Sequence, residues 1–323
     1  MTMRLSIYTF LILGLFSASW IVSKDIVSDL PAAHATGLRL TATAVALWII
    51  VAIHKPGRFP LADLPRALIG FVILAVLGFA GYFLLSFGAL IPLQASQLSM
   101  VLSSIPAITY LIALALDLDK PNALKFVGVP LVTIGAVWFN LADARGLSVE
   151  QVTGLAMAAT AALSYALYGL ASKKLLAGRP LLGSLAWITT FAALMFVPVY
   201  IADPLPLQTL VPADIIKLAL LGAILSAPIY VLYQIVLAAG GVVYANSIGV
   251  MAPFVILAAE LGVGFRNDVT LPEIVAMMIG AVGVALLFID AMRGELRQAP
   301  PPDTAALARS ELRRARASRS ATR

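Results

Sequence analysis

The sequence contains no cysteine and only two histidines, His34 and His54. Disulfide bonds, thiol nucleophiles and thiolate metal sites are therefore excluded for this chain. Because cysteine and histidine are the usual ligands of zinc and haem iron, we expect no metal and no cofactor. An integral-membrane enzyme is a weak alternative, since both histidines lie at the ends of apolar runs and no catalytic constellation is evident.

Charged residues are scarce as well. They make up 12% of the chain, whereas 61% of the residues are hydrophobic and the mean hydropathy is +0.98. Soluble domains carry about 25% charged residues, so the composition excludes an ordinary soluble fold. The formal charge of +6 does not indicate a nucleic-acid partner, because eight of the 22 Lys and Arg residues lie in the tail, residues 293–323, rather than on a folded surface.

The apolar residues form long runs, each near the roughly twenty residues that cross a bilayer as a helix. The ten runs are 5–23, 32–53, 66–88, 93–116, 122–141, 153–172, 182–202, 214–238, 243–264 and 273–291. The eighth and ninth runs part at Gly240-Gly241. The first run has a cleaved signal peptide as a competing interpretation, which the nine later runs argue against. The sequence thus predicts an all-α membrane protein with ten transmembrane helices.

The distribution of Lys and Arg predicts the orientation of these helices. With the N-terminus inside, nine basic residues that precede the tail fall on the cytoplasmic side and four on the other side. Arg39 falls within the second run. We therefore expect both termini to be cytoplasmic. The tail is expected to be disordered, with a short basic helix on anionic lipid as the alternative.

The two halves of the chain resemble each other at an offset of 147–149 residues. Pro106 aligns with Pro253, and Gly135 aligns with Gly283. Each half holds five runs, an odd number, so the second copy is predicted to be inverted in the membrane, as in secondary transporters. The expected boundaries are 1–145 for the first five-helix repeat, 146–292 for the second and 293–323 for the tail.

Several short segments are similar to a known family. They are Leu15–Lys24 with Arg39, Gly88-Ala89-Leu90, Ser103-Ser104-Ile105-Pro106, and Asp119–Gly128 with Gly135. On these residues the chain resembles the drug/metabolite transporter superfamily, in its ten-helix branch of two EamA-type repeats. The second copy departs from the pattern at Arg266-Asn267-Asp268 and at Ala276, where a glycine is expected. The resemblance implies a multi-pass carrier of a bacterial-type inner membrane, often an exporter of amino acids and other small metabolites.

The ninth run carries three notable residues, Asn246, Pro253 and Glu260, spaced seven apart and so on one helix face. Proline leaves the carbonyl group four residues earlier without its helical partner. The fourth run has a similar stripe, formed by the candidate substrate-binding residues Ser99 and Ser103, with Pro106 as the kink. Its position equivalent to Glu260 is Ala113. Packing between helices is the alternative role for the serines.

Glu260 is an acid within an apolar run, which costs several kcal/mol unless it is paired, protonated or hydrated. One hypothesis pairs it with Arg39, the two setting charge selectivity. Another places Glu260 in a hydrated cavity, where it exchanges a proton for substrate. The alternatives are a shallow position of Glu260 near the outer interface and an Arg39 side chain that extends outward to lipid headgroups.

Other polar and aromatic side chains deep in the runs are candidates for binding substrate. They are Trp20, Tyr82, Gln97, Tyr165 and Gln234. An interfacial aromatic belt is the structural alternative. The leading prediction is a secondary transporter that moves a small metabolite by alternating access, with proton coupling as one option. An uncoupled uniporter of the same fold is the alternative, the expected partners are substrate and membrane lipid, and a homodimer stays open.

Overall fold

The computed structural model describes residues 2–53, 61–118, 122–141, 148–208 and 210–298. Every regular element in this part of the chain is helical. The α-helices are α1 (Thr2–Asp29), α2 (Ala32–Ile53), α3 (Leu64–Ala75), α4 (Gly81–Leu90), α5 (Ala95–Leu102), α6 (Ile105–Ala115), α7 (Ala123–Leu141), α8 (Val149–Leu175), α9 (Leu181–Leu194), α10 (Val197–Ala202), α11 (Leu205–Gln208), α12 (Pro212–Ala219), α13 (Ala227–Ser247), α14 (Ala252–Val263) and α15 (Leu271–Gln298). Shorter segments are the 3₁₀ turns Leu61–Asp63 and Ile248–Met251 and the π-helical turns Val76–Ala80 and Leu220–Ser226.

Eight helical segments are long and apolar enough to cross a membrane, and each overlaps one predicted run. They are Ile7–Asp29, Ala32–Ile53, Leu64–Leu90, Ala95–Ala115, Ala123–Leu141, Val149–Leu175, Leu181–Ala202 and Pro212–Ala238. The last two predicted runs correspond to shorter apolar helices, Ala252–Val263 and Leu271–Gly283. The all-helical membrane fold is confirmed for the described residues, while the count of ten spans stays a prediction.

Two helices continue past their predicted ends. The first run was expected to stop at residue 23, but α1 continues to Asp29, because the residue that first disfavours the helix is Pro31. Likewise α15 continues beyond 291 to Gln298, through residues of which all but Gly294 have good helix propensity. The rest of the tail, from 299 on, lies outside the described residues, as do His54 and Asp119.

The helix α13 is bent, although it is helical through Gly240-Gly241. Tyr233 Oη donates a hydrogen bond to Asn246 Oδ1 over 2.7 Å. In a straight helix thirteen residues span about 20 Å, beyond the reach of these two side chains. The chain must therefore bend sharply between them, in the interval that contains Gly240-Gly241. The predicted end of the eighth run and start of the ninth fall in this interval.

The two repeats share the same departures from α-helix. The third span of the first repeat contains the π-helical turn Val76–Ala80, and the third span of the second contains the π-helical turn Leu220–Ser226. The fourth spans are interrupted too, between α5 and α6 in one repeat and at the 3₁₀ turn Ile248–Met251 in the other. Such irregularities free backbone groups in the membrane, and here they recur in the corresponding spans of the two repeats.

The contact between α7 and α15 relates the repeats by a two-fold axis. A Cβ atom on Gly135 would lie 2.7 Å from the carbonyl oxygen of Ala276, and a Cβ on Gly283 would lie 2.7 Å from that of Gly128. These two contacts are equivalent, because each residue of α15 is 148 positions after its counterpart in α7. The helices run antiparallel here. Equivalent antiparallel helices that meet through equivalent residues require an axis across them, which is the geometry of an inverted repeat.

Candidate functional site

A cavity lies in the middle of the bundle, where the interrupted fourth spans of both repeats approach α1 and α8. Its walls are formed by Ile12, Leu13, Phe16, Tyr82, Leu102, Ile105, Tyr165, Ile229, Tyr233, Ala245, Asn246, Ile248 and Gly249. The cavity has a volume of about 40 Å³. That volume suffices for a few water molecules, so the cavity is narrow in this conformation.

The polar wall of the cavity is a chain of hydrogen bonds. Tyr233 Oη donates to Asn246 Oδ1, and Asn246 Nδ2 donates to Thr109 Oγ1 over 2.8 Å. Gly169 makes this possible, because a Cβ there would lie 3.1 Å from Tyr233 Oη. The chain joins the second repeat to the first at the level of both helix interruptions. A substrate group that replaced one of these bonds would contact both repeats.

Tyrosine rings form the aromatic wall. Tyr165 lies between Tyr82 and Tyr233, with ring centroids 4.6 and 5.5 Å away. Tyr168 accepts a hydrogen bond from Gln234 Nε2 over 2.7 Å. Tyr82 and Tyr165 line the cavity, whereas Gln234 is buried behind it against Tyr168. The cavity therefore offers ring faces and an amide to a ligand.

Arg39 is buried beside the cavity, with 2% of its surface exposed. Its guanidinium group donates hydrogen bonds to the hydroxyl oxygens of three serines, from α1 and from the π-helical turn Leu220–Ser226. The acceptors are Ser19 at 2.8 Å, Ser23 at 3.3 Å and Ser226 at 3.0 Å. Ser19 and Ser23 are one turn apart on α1, so they present both hydroxyl groups to the same side chain.

Aromatic rings surround the same guanidinium group. Its carbon Cζ lies 4.0 Å from the ring centre of Phe83, 5.7 Å from that of Phe87 and 5.9 Å from that of Trp20. A cation over a ring face is stabilised by the ring's quadrupole. Tyr230 lies close enough to interact with Arg39 electrostatically. The site therefore holds a cation by hydroxyl dipoles and rings.

The expected ion pair between Arg39 and Glu260 is not formed among the described residues. Glu260 is fully buried at the end of α14, and its Oε1 accepts a hydrogen bond from the backbone N–H of Ser96 over 3.2 Å. Its other oxygen, Oε2, has no hydrogen-bond partner among the described residues. Glu260 contacts the first turn of α5, where a negative charge is favoured by the helix dipole. Arg39, in turn, is directed inward rather than toward lipid headgroups.

Lys24 is the basic residue that interacts with Glu260. Its ammonium group donates hydrogen bonds to the carbonyl oxygens of Leu90, at 2.7 Å, and Leu93, at 2.9 Å, and it interacts electrostatically with Glu260. Leu90 ends α4 and Leu93 lies in the turn that follows it, whereas Ser96 lies in the first turn of α5. The positive charge of Lys24 thus lies at the C-terminal end of α4, and the negative charge of Glu260 lies at the N-terminus of α5. In each case the helix dipole favours a charge of that sign.

Two of the remaining candidates in the fourth span, Gln97 and Ser103, form hydrogen bonds with nearby backbone groups. Gln97 Oε1 accepts from the backbone N–H of Gln94, a capping interaction that begins α5. Ser103 Oγ donates to the carbonyl oxygen of Ser99 over 2.9 Å. Ser99 Oγ is buried without a hydrogen-bond partner among the described residues, as is Ser96 Oγ. These two hydroxyl groups of α5 are therefore free to form a hydrogen bond with another group.

Pro106 and Pro253 are each the second residue of a helix that follows an interruption, α6 and α14 respectively. Proline is well tolerated there, because the N–H it lacks would have no helical partner. The prolines therefore start the second half of each fourth span. Both interruptions lie beside the cavity, since Leu102 and Gly249 line it.

Four residues that contribute to the site carry a weaker sequence signal. Ser19 and Ser23 are two serines with i, i+4 spacing in an apolar run. A search for such pairs in a sequence with an intramembrane arginine would find them. Lys24 follows the first apolar run, a position typical of an interfacial anchor. Its contacts with the carbonyl groups at and after the end of α4 are seen only in the structure. Thr109 has no signal beyond being a polar residue after Pro106. Among the described residues no group of three or more His, Asp or Glu side chains could hold a metal ion.

Comparison with solved structures gives a similar chain, described as "Crystal structure of protein". It has a TM-score of 0.68 and 19% sequence identity, and the match covers 90% of this chain and 99% of that one. At this identity the likeness shows the fold alone. Comparison with curated proteins gives no match.

The EamA-like transporter family model matches the chain twice, at residues 4–141 and at 152–289. The two matches correspond to the two halves that share π-helical turns and interrupted fourth spans. They also correspond to the halves that meet through Gly135 and Gly283. The chain therefore belongs to the EamA-like transporter family, within the drug/metabolite transporter superfamily.

Proposed function

We propose that this transporter moves a small metabolite by alternating access through the cavity between its repeats, and that it exports an amino acid or a related compound. The cavity carries the proposal. It lies between the interrupted fourth spans of two inverted repeats, where secondary transporters bind their substrates. Its lining of tyrosine rings with Asn246 suits a small organic molecule better than an ion.

Polar contacts close the bundle at one end, the end at which α1 meets α2, called here the α1–α2 end. Lys24 and Glu260 bind the turn between α4 and α5 there. Lys217 forms a salt bridge of 2.5 Å with Asp25 on α1. An opening at this end has to break such contacts. This supports a cycle in which they form and dissolve as the cavity changes sides, with both termini at the opposite, cytoplasmic end.

Transport is tested with the purified full-length chain in proteoliposomes that contain an unlabelled amino acid. We expect at least one radiolabelled amino acid to accumulate by counterflow, and Asn246→Ala to reduce its rate at least about tenfold, because that amide joins both repeats at the cavity wall. Gly262→Ala is the matched control, since no atom lies within 4 Å of the added Cβ. Counterflow no greater than in empty liposomes, with a correctly folded protein, would contradict the proposal.

The direction of transport needs whole cells. An exporter makes cells that express the chain release the loaded compound faster than cells that express Asn246→Ala. If cells that express the chain instead accumulated the compound from the medium, the direction assigned would be reversed. The bacterial-type inner membrane is the location that this proposal implies.

An uncoupled facilitator is the second candidate, and the position of Glu260 favours it. Glu260 binds Ser96 at a helix terminus and does not line the cavity. A facilitator equilibrates substrate without responding to an imposed pH gradient. Proton coupling through Glu260 instead gives uphill accumulation that Glu260→Gln abolishes, while exchange continues.

A further inference from the structure

The guanidinium group of Arg39 has no anionic partner among the described residues. Its hydrogen-bond acceptors are neutral hydroxyl groups, and the groups that interact with it electrostatically are Tyr82 and Tyr230. A charge that is buried without a counter-charge is costly. Hydroxyl groups and ring faces reduce that cost, but they leave a net positive charge inside the bundle.

The site also has unused hydrogen-bond donors. A guanidinium group carries five N–H donors, and three hydrogen bonds to serine are formed. Trp20 Nε1 is buried near Arg39 and has no hydrogen-bond partner among the described residues. Polar groups in protein interiors are nearly always paired. Donors left free around an uncompensated cation indicate a missing acceptor with a negative charge.

Tyr82 connects this site to the cavity. It lines the cavity, its ring lies 6.2 Å from that of Trp20, and it interacts electrostatically with Arg39. A ligand with its body among the tyrosine rings would reach Arg39 past this side chain. The residues that line the cavity include no acid, so an anionic group would meet no like charge there.

We infer that Arg39 is the binding site for the carboxylate of the transported compound, and that the carrier selects carboxylates with an aromatic or apolar body. The inference rests on the proposed transport function. A carboxylate would accept hydrogen bonds from the free N–H groups of Arg39 and from Trp20 Nε1, since a planar carboxylate matches the fork of a guanidinium group. Because Arg39 is enclosed in this conformation, the ligand reaches it when the surrounding helices separate.

The competing role for Arg39 is purely structural. Its hydrogen bonds tie α2 to α1 and to the π-helical turn Leu220–Ser226. Removing such a tie lowers the stability of the protein without changing which ligands bind. The two roles are therefore separated by charge discrimination rather than by stability.

The test uses three probes with one ring and different charges: phenylacetate, phenylacetamide and 2-phenylethylamine. Binding to the purified full-length chain is measured by calorimetry. We expect phenylacetate alone to bind, and Arg39→Gln to weaken it at least about tenfold, as expected for loss of a charge-assisted contact. Arg39→Lys keeps the charge and should bind with intermediate affinity. Arg179→Gln is the matched control, because Arg179 also lies over a ring, that of Phe71 at 5.4 Å, but at the other end of the bundle.

Several outcomes would overturn the inference. They are equal binding of phenylacetamide or 2-phenylethylamine, no binding of phenylacetate at millimolar concentration to folded wild-type chain, and unchanged phenylacetate affinity in Arg39→Gln. If Arg39→Gln does not fold, Ser226→Ala decides, since it releases one anchor of the guanidinium group. A structural role predicts a lower melting temperature with unchanged selectivity, and the carboxylate role predicts weaker phenylacetate binding.

Phenyl phosphate separates two sources of negative charge. Tighter binding of phenyl phosphate than of phenylacetate would assign the site to a phosphate ester and overturn the carboxylate. Failure of the transport function is distinguishable from failure of this inference. Binding of phenylacetate without counterflow of any amino acid contradicts transport, whereas counterflow that is equal for charged and amide-blocked substrates contradicts the role of Arg39.

Discussion

Arg39 and Glu260 are both charged and both buried, but their surroundings stabilise them in different ways. Arg39 lies against the ring of Phe83 and three hydroxyl groups. The ring face and the hydroxyl oxygens carry partial negative charge, which stabilises a cation. Glu260 lies at the N-terminus of α5, where the unpaired N–H groups of the first turn favour an anion. The first arrangement leaves donors free for a ligand. The second uses the charge to hold two spans together.

The interaction between Lys24 and Glu260 is expected to contribute to stability. We predict that Lys24→Met and Glu260→Gln each lower the melting temperature, and that the double variant loses less than the sum of both. The coupling free energy should be about 0.5–3 kcal/mol, as for neighbours in one network. Thermal unfolding of the four proteins in one detergent provides the measurement, and additive losses would show that the two charges act independently.

Tyr233 is expected to fix the amide of Asn246. We predict that Tyr233→Phe lowers the free energy of unfolding by about 1 kcal/mol, because one hydrogen bond is lost and the Asn246 carbonyl is left unpaired. Substrate affinity should fall with it. Counterflow and thermal unfolding are measured together, with Gly262→Ala as the control. Wild-type affinity in the variant would place substrate away from this amide.

In each π-helical turn a hydroxyl group from a neighbouring helix donates a hydrogen bond to a backbone carbonyl oxygen. Ser164 Oγ donates to the carbonyl oxygen of Leu77 in one π-helical turn, and Thr43 Oγ1 donates to that of Gly222 in the other. Backbone groups inside a membrane need such partners. The third span of each repeat can therefore bend at its π-helical turn without exposing an unpaired carbonyl to lipid.

The contact of α7 with α15 depends on the absence of side chains at two glycines. A Cβ on Gly135 would lie 2.6 Å from the backbone nitrogen of Gly280. We predict that Gly135→Ala lowers the melting temperature by several degrees, because backbone atoms cannot move aside locally. Gly14→Ala on α1 is the matched control, since nothing lies within 4 Å of its added Cβ, and alanine is the better helix former.

If Gly135→Ala melted at the wild-type temperature, α7 and α15 would not be in close contact. The reciprocal variant, Gly283→Ala, tests the two-fold axis. It is expected to lose a similar amount of stability, because its Cβ would lie 2.6 Å from the backbone nitrogen of Val132. Unequal losses would argue against equivalent contacts.

The helices themselves could be predicted from the sequence, because a span needs only length and apolar composition. The contacts between side chains of different spans could not. That Ser19 and Ser23 face Arg39 depends on how α1 is rotated against α2, which no local pattern specifies. The partner of Glu260 was missed for a similar reason. Ser96 belongs to the other repeat, and the contact arises only when both fourth spans pack side by side.

For the whole molecule, the absence of cysteine makes the predicted orientation simple to test. We predict that Asp29→Cys and Ala177→Cys react with a membrane-impermeant maleimide from opposite sides. Both positions are exposed, one at the α1–α2 end and the other between α8 and α9 at the opposite end. In intact cells only Asp29→Cys should be labelled, as follows from a cytoplasmic N-terminus. Labelling of Ala177→Cys alone would invert the topology.

The repeats share a scaffold but not their charges. Glu260 has Ala113 as its counterpart, and Lys24 is matched by the exposed Lys173. An empty carrier with two identical halves would spend equal time facing either compartment. Among the described residues the interaction of Lys24 with Glu260 lies at the α1–α2 end and is not repeated by Ala113 and Lys173, so we expect the resting equilibrium to favour the state shut toward that end. Opening of that end is then expected to be the slow step in each turnover, and in the proposed orientation the empty carrier would wait open to the cytoplasm.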